Sequence, residues 1–269
     1  MNEYWRLIID EPLDGPANMA RDEALARAHA AGDTPPTLRL YAWRPACMSL
    51  GRFQRSAEID RAACAKAGVS IVRRPSGGRA LLHDHELTYA VIARDSHPLL
   101  GGDSILTSYR QISAALLAGL RALGVPAELT PQQRHERQPT TGDPSSAACF
   151  DAPASYELTV RGRKLVGSAQ RRQTGVILQH GAVPLTPHAE RLCALLLRPP
   201  PDLHQRMIAL SQAAGRLIDF DSLAEALIGG FATTWGARFE PGRLSAAERA
   251  LEHELRESTY ASDAWTFAR

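Results

Sequence analysis

The chain has 269 residues, of which 44% are hydrophobic and 22% charged, and a formal net charge of +2. That length can bury a substantial core in one large domain, or in one domain with a small appendage, and the composition excludes a disordered chain. The near-balance of charge argues against a general nucleic-acid binder, which needs a concentrated basic patch, and leaves a phosphate-bearing small ligand or an acidic protein partner open. There is no apolar run of about 18 residues, and the first stretch, MNEYWRLIIDEPLDG, lacks the charged-then-apolar pattern of a signal peptide. A cytoplasmic protein that does not enter membranes is therefore expected.

Residues 5–10 read as a strand, and residues 18–30 as a helix with Met19, Leu25 and several alanines on its apolar side. Residues 37–43 alternate as a strand, and 48–51 resemble another. A short helix over 59–67 ends at Gly68, a C-cap candidate, and residues 69–73 form the next strand. That strand runs into RRPSGGRALLH, residues 73–83, and residues 87–93 form another clear strand. Ile105, Tyr109, Ile112, Leu116, Leu120 and Leu123 recur at spacings of three and four, so an amphipathic helix is predicted there, with Gly124 as its stop.

Between residues 129 and 149 the composition turns to Pro, Gln, Thr, Gly and Ser, which predicts a long loop or mobile lid. Residues 156–160 alternate again, and Arg161-Gly162 is a turn signal, so Lys164 is expected near a hairpin tip. His180 closes the β-like run 175–179. The remainder reads as helical over 188–197, 203–214 and 223–235, with a last helix reaching residue 257. Ser222 with Glu225, and Ser245 with Glu248, have capping-box spacing. Strands and helices mix without regular βα alternation, predicting an α/β or α+β domain with a mixed sheet and packed helices.

Chemistry concentrates in two stretches. In residues 73–83, Gly77 and Gly78 allow close backbone approach to a ligand, and Arg73, Arg74 and Arg79 can bind phosphate or carboxylate oxygens; a simple tight turn is the commoner reason for such a glycine pair. Neither GxGxxG nor a P-loop is present. His83 and His85 flank Asp84, but no third metal ligand stands out, so one histidine is expected to meet substrate and the other to face solvent. His180 serves either proton transfer or a structural hydrogen bond.

The second stretch runs from Cys149 to Gly181. Cys47, Cys64, Cys149 and Cys193 show no CxxC pair or metal-ligand spacing, so each is a small core residue or a reactive thiol. Only two of the 31 basic residues, Lys66 and Lys164, are lysines. A lysine in so arginine-rich a chain marks either a need for the compact ammonium or chance survival. Beside Cys149, the Lys164 ammonium would lower the thiol pKa and activate it towards a thioester.

The blocks RRPSGGRALLHDHELTYAVI (73–92) and CFDAPASYELTVRGRKLVGSAQRRQTGVILQHG (149–181), with PANMARDEAL (16–25), resemble the biotin/lipoate protein ligase superfamily. Within it they look most like the cysteine-dependent octanoyltransferases of lipoate assembly. The resemblance implies that family's catalytic fold over residues 1–240, followed by a helical tail over 241–269. It implies transfer of an octanoyl group from acyl carrier protein to Cys149 as a thioester, then to a lysine of a lipoyl domain such as the glycine-cleavage H protein, with no cofactor or metal. Lys164 would lower the Cys149 pKa and orient the acyl carbonyl. Arg73, Gly77, Gly78, Arg79 and His83 would line the acyl and pantetheine channel, Gly167 and Ser168 would let strand backbone approach the thioester, and His180 would border the pocket. The alternatives are an ATP-dependent lipoate ligase, an amidotransferase that takes octanoyl from the H protein, and a non-catalytic ligand-binding module.

Overall fold

A computed structural model describes residues 4–100, 104–130 and 156–268. The chain enters through β1 (Tyr4–Ile9) and turns into α1 (Gly15–Ala31). The Asp14 carboxylate accepts the Ala17 amide at 2.8 Å to start the helix, and Gly32, in the left-handed region, stops it. There follow β2 (Thr37–Tyr41), β3 (Cys47–Leu50), the short α2 (Arg61–Lys66), β4 (Ser70–Arg73), β5 (Leu81–His83) and β6 (Glu86–Arg94). After α3 (Ile105–Ala122) come the short strands β7 (Glu128–Leu129), β8 (Leu158–Val160) and β9 (Arg163–Lys164), then β10 (Gly167–Gln173) and β11 (Val176–Pro184). The last third holds α4 (Ala189–Cys193), α5 (Leu203–Arg206), α6 (Leu210–Ala214), α7 (Phe220–Trp235), β12 (Arg238–Pro241), α8 (Ala246–Leu255) and α9 (Asp263–Thr266).

Among the described residues, six strands form a mixed sheet in the order β10-β11-β6-β2-β1-β12. β1 is parallel to β2 and β12, whereas β2, β6, β11 and β10 pair antiparallel. Alternation along β6 sorts its side chains between two cores. Leu87, Tyr89, Val91 and Ala93 pack with α3 and α7, while Ala90 and Ile92 share the other core with Met19 and Leu25 of α1. A three-stranded sheet, β4-β3-β5, covers a third core beside α2 and α4.

α8 packs on α1, and Glu248 reaches β1 to take a bidentate grip from Arg6 at 2.6 and 2.9 Å, both side chains buried. The Ser245–Glu248 capping box is formed as predicted. Elsewhere the expected helices differ from those observed. α7 starts earlier, capped by Asp219 rather than by Ser222, because the Asp219 carboxylate takes the Ser222 amide at 2.8 Å. The helix expected over 203–214 is broken in two, because the Ile208 amide donates to the Lys164 carbonyl at 3.0 Å and leaves helical geometry to do so. The run ending at His180 also continues, so that β11 reaches Pro184 and His180 sits inside a strand rather than at its end.

Candidate functional site

A narrow cleft opens between β10, β11, β5 and the end of β2. Met19, Tyr41, Trp43, Leu81, Gly167 and Gly181 give it an apolar wall, and Ser49, Arg74, His83, Thr88, Ser168 and His180 bring polar groups to it. Apolar walls with a few convergent polar groups are the usual make-up of a small-ligand site. The sequence-predicted residues His83, Gly167, Ser168 and His180 are thus brought together. Arg73, Gly77, Gly78, Arg79 and Lys164 are not among the lining residues, although Arg74, the neighbour of Arg73, is.

Two serine–histidine–carboxylate chains hold this cleft. His180 Nδ1 faces Asp22 Oδ2 at 3.1 Å, and its Nε2 faces Ser76 Oγ at 2.5 Å. Burial works against the Asp22 carboxylate, but Arg39 and His180 together draw its pKa below the ordinary carboxylate value. Burial likewise depresses His180, against the opposing pull of Asp22. Asp22 is therefore ionised and His180 neutral at pH 7. Nδ1–H then donates to Asp22, and Nε2 accepts from the Ser76 hydroxyl. Ser76 is 1% exposed and does not line the cleft, so the chain ties the glycine loop to α1 rather than presenting a nucleophile. In the second chain, His83 Nδ1 meets Glu86 Oε1 at 2.5 Å and Nε2 meets Ser49 Oγ at 2.7 Å. The Trp43 indole stacks on His83 with centroids 3.8 Å apart. His85, by contrast, leaves its side chain 75% exposed, as expected of the histidine that faces solvent.

These buried groups predict an acid-sensitive fold. His29, His180 and His188 all have pKa values lowered by burial from an ordinary 6.5. Below that value the unfolded chain takes up protons that the folded chain does not, so stability falls as pH drops. Urea midpoints are expected to be level from pH 8 to 7 and to decline below about pH 6.5, by up to about 1.4 kcal/mol per pH unit for each histidine. A midpoint unchanged down to pH 5 would contradict this.

The glycine loop is shaped from within. The Arg74 guanidinium donates to the carbonyls of Gly77 at 2.8 Å, Arg79 at 2.7 Å and Ser49 at 2.9 Å, so it folds the loop rather than reaching out as a free anion ligand. Gly78 has φ +90°, and a side chain on Gly51 would lie 1.8 Å from the Gly78 carbonyl. Gly77 faces open space, where a ligand can approach its backbone. Arg79 is half-buried. Across the cleft, a Cβ on Gly181 would come within 2.5 Å of Ser168 Oγ and 2.7 Å of the Tyr89 ring, because β10 lies directly over it. Gly181→Ala is expected to lose about 1–3 kcal/mol through overpacking, read from the urea midpoint.

Lys164 sits where the hairpin prediction put it. Arg161 and Gly162, with φ of +51° and +74°, form the two-residue turn between β8 and β9. The Lys164 side chain is 3% exposed, and its Nζ donates to Glu157 Oε1 at 2.6 Å. Three residues later the same strand path supplies Gly167 to the cleft wall. Sequence reasoning missed Glu157; the signal was an acid inside a strand pattern, seven residues before Lys164.

Cys149, and the 131–148 stretch expected to form a loop or lid, lie outside the described residues. In the three cysteines inside them burial disfavours the thiolate: it pushes the Cys47 thiol up to about 12 and that of Cys64 up to about 11, and raises that of Cys193 as well. No group of three or more metal-ligating side chains gathers among the described residues, and no helix among them is long and apolar enough to cross a membrane.

A family model described as the lipoyl protein ligase A/B catalytic domain matches residues 14–232. The chain is 44% identical to the octanoyltransferase LipM of Kyrpidia tusciae, over 99% of this chain and 100% of that one. It is 40% identical to the octanoyltransferase LipM of Bacillus subtilis, over 99% of each. Among solved structures, lipoate-protein ligase A bound with ATP superposes with a TM-score of 0.80 at 25% identity, over 99% of both chains. The bi-partite lipoate protein ligase of Thermoplasma acidophilum, described with its E2 lipoyl domain, gives 0.79 at 24%, over 98% of this chain and 96% of that one.

Proposed function

The chain belongs to the lipoyl protein ligase A/B catalytic-domain family, and we propose that it moves an octanoyl group through a thioester on Cys149. It is an acyltransferase, an octanoyltransferase of lipoate assembly. Its acceptors are lipoyl-domain proteins. The donor is octanoyl-acyl carrier protein, the acceptor is the glycine-cleavage H protein, and the reaction takes place in the cytoplasm.

In the first step the Cys149 thiolate attacks the donor thioester carbonyl. A new C–S bond forms, and the pantetheine thiolate leaves and takes a proton. In the second, the neutral amine of the acceptor lysine attacks the acyl-enzyme. A C–N bond forms, the Cys149 thiolate leaves, and the nitrogen loses its extra proton. The acyl group arrives already activated as a thioester, so neither step needs ATP. Lys164 places positive charge where the thiolate and the tetrahedral oxyanion develop, and Glu157 fixes its position. Gly77, Gly78, Arg79 and His83 border the acyl chain and pantetheine, Arg73 supports them from beneath, Gly167 and Ser168 lie along the thioester, and His180 holds the loop.

The observation that carries this reading is the buried Lys164–Glu157 pair, on the strand path that leads into an apolar cleft. The raised thiols of Cys47, Cys64 and Cys193 support Cys149 as the nucleophile. The test mixes the protein with octanoyl carrier protein and unmodified H protein, without ATP. Octanoylated H protein is expected. Transfer that occurs only from free octanoate or lipoate with ATP would instead select a ligase.

A further inference from the structure

Two chains of contacts leave α1 from adjacent residues and end on the glycine loop. The first runs from Asp22 through His180 to Ser76. The second starts at Glu23, whose carboxylate accepts the Tyr260 hydroxyl. Tyr260 meets the Trp265 ring edge-on at 5.8 Å. Trp265 and Arg73 then exchange hydrogen bonds: Trp265 Nε1 donates to the Arg73 carbonyl at 2.8 Å, and Arg73 Nε donates to the carbonyls of Trp265 at 3.2 Å and Thr266 at 3.1 Å.

From there Arg73 reaches the seat of the loop. Its Nη1 donates to the carbonyls of Gly51 and Gln54, each at 2.7 Å. The same segment carries the loop directly, because the Arg52 amide donates to the Ser76 carbonyl at 2.8 Å and Gly51 abuts the Gly78 carbonyl. The Arg52 guanidinium lies 4.0 Å over the Trp265 ring, which closes the circuit. Arg73 is 1% exposed, so its Nε–H, stripped of the Trp265 and Thr266 carbonyls, would have to find water, and the seat of the loop would move with it.

We propose that Trp265 and Thr266, in the C-terminal segment, are positioning residues of the acyl site: through Arg73 they hold the loop over 74–80 in the shape that receives the acyl donor. That this loop receives the donor rests on the function proposed above; the mechanical link from tail to loop stands apart from it.

Two variants test the link, a chain ending at Ser262 and Trp265→Phe, which keeps a ring but lacks the Nε1–H. In both, the hydrogen-bonded amides of Arg52 and Arg74 are expected to exchange at least about ten-fold faster than in the parent, while the central amides of β6 keep their rates. KM for octanoyl carrier protein is expected to rise roughly ten-fold in the shortened chain and about three-fold in Trp265→Phe, with the saturated rate of thioester formation within about two-fold of the parent. Faster exchange throughout the molecule with a lowered saturated rate would mean a merely structural role and overturn the proposal. So would unchanged exchange at Arg52 and Arg74 with unchanged KM. If the shortened chain does not fold, Trp265→Phe carries both measurements. If the parent forms no thioester, the functional reading fails, and exchange measured without donor still decides the link.

Discussion

Cys149→Ala is expected to lower octanoyl transfer by at least about a thousand-fold, because it removes the atom that carries the acyl group between donor and acceptor. Orientation and electrostatic stabilisation that remain in the cleft cannot replace a missing covalent step. Any change in stability is read separately, from the urea midpoint of the variant. Rates of transfer from octanoyl carrier protein to H protein, measured beside the midpoint, separate the two effects. Retention of even a tenth of the parent rate would remove Cys149 from the chemistry.

Lys164→Ala is expected to damage both stability and activity. Glu157 would be left as a buried carboxylate without its ammonium, which costs about 3–5 kcal/mol. That is a large part of the roughly 5–15 kcal/mol that holds an ordinary domain together. The double variant Lys164→Met, Glu157→Leu removes both charges and fills similar space, so its stability is expected to return to within about 1 kcal/mol of the parent or to exceed it. Activity should stay lost in the double variant, because the apolar pair cannot lower a thiol pKa or meet an oxyanion. If the double variant recovered transfer along with stability, Lys164 would be a structural residue only.

Much of this architecture was legible in the chain. Periodicity fixed α3 from its spaced leucines and isoleucines, and the Arg161-Gly162 turn placed Lys164 near a hairpin tip. The expected mixed sheet with packed helices, in the biotin/lipoate protein ligase catalytic fold, is the one found. Short strands such as β5, β7 and β12 carry too few residues to show alternation, and they form only because longer partners present edges to them. His180 looked like a strand end because Gly181 follows it. That glycine is there to admit Ser168 of β10 and the Tyr89 ring of β6, contacts that arise only when the three strands pair.

The site was half visible for a related reason. Motif residues that face the cleft, His83, Gly167, Ser168 and His180, were found by type and position. The residues that hold them were not: Asp22 and Glu23 lie in a helix read for its apolar side, Glu157 stands seven residues before its partner Lys164, and Trp265 lies far along the chain; the distant ones acquire meaning only through contacts such as that of Glu23 with Tyr260, 237 positions apart. Arg73 shows the same difficulty in reverse. An arginine beside two glycines suggests an anion ligand, yet its guanidinium is turned inward to backbone carbonyls of the loop seat and the tail.

The most direct test of covalent transfer is intact-mass analysis of the protein mixed with octanoyl carrier protein in the absence of ATP and acceptor. A mass gain of one octanoyl group, mapped to Cys149, reversed by hydroxylamine and lost when H protein is added, is the predicted result. An unmodified protein that nevertheless octanoylates H protein at full rate would contradict it.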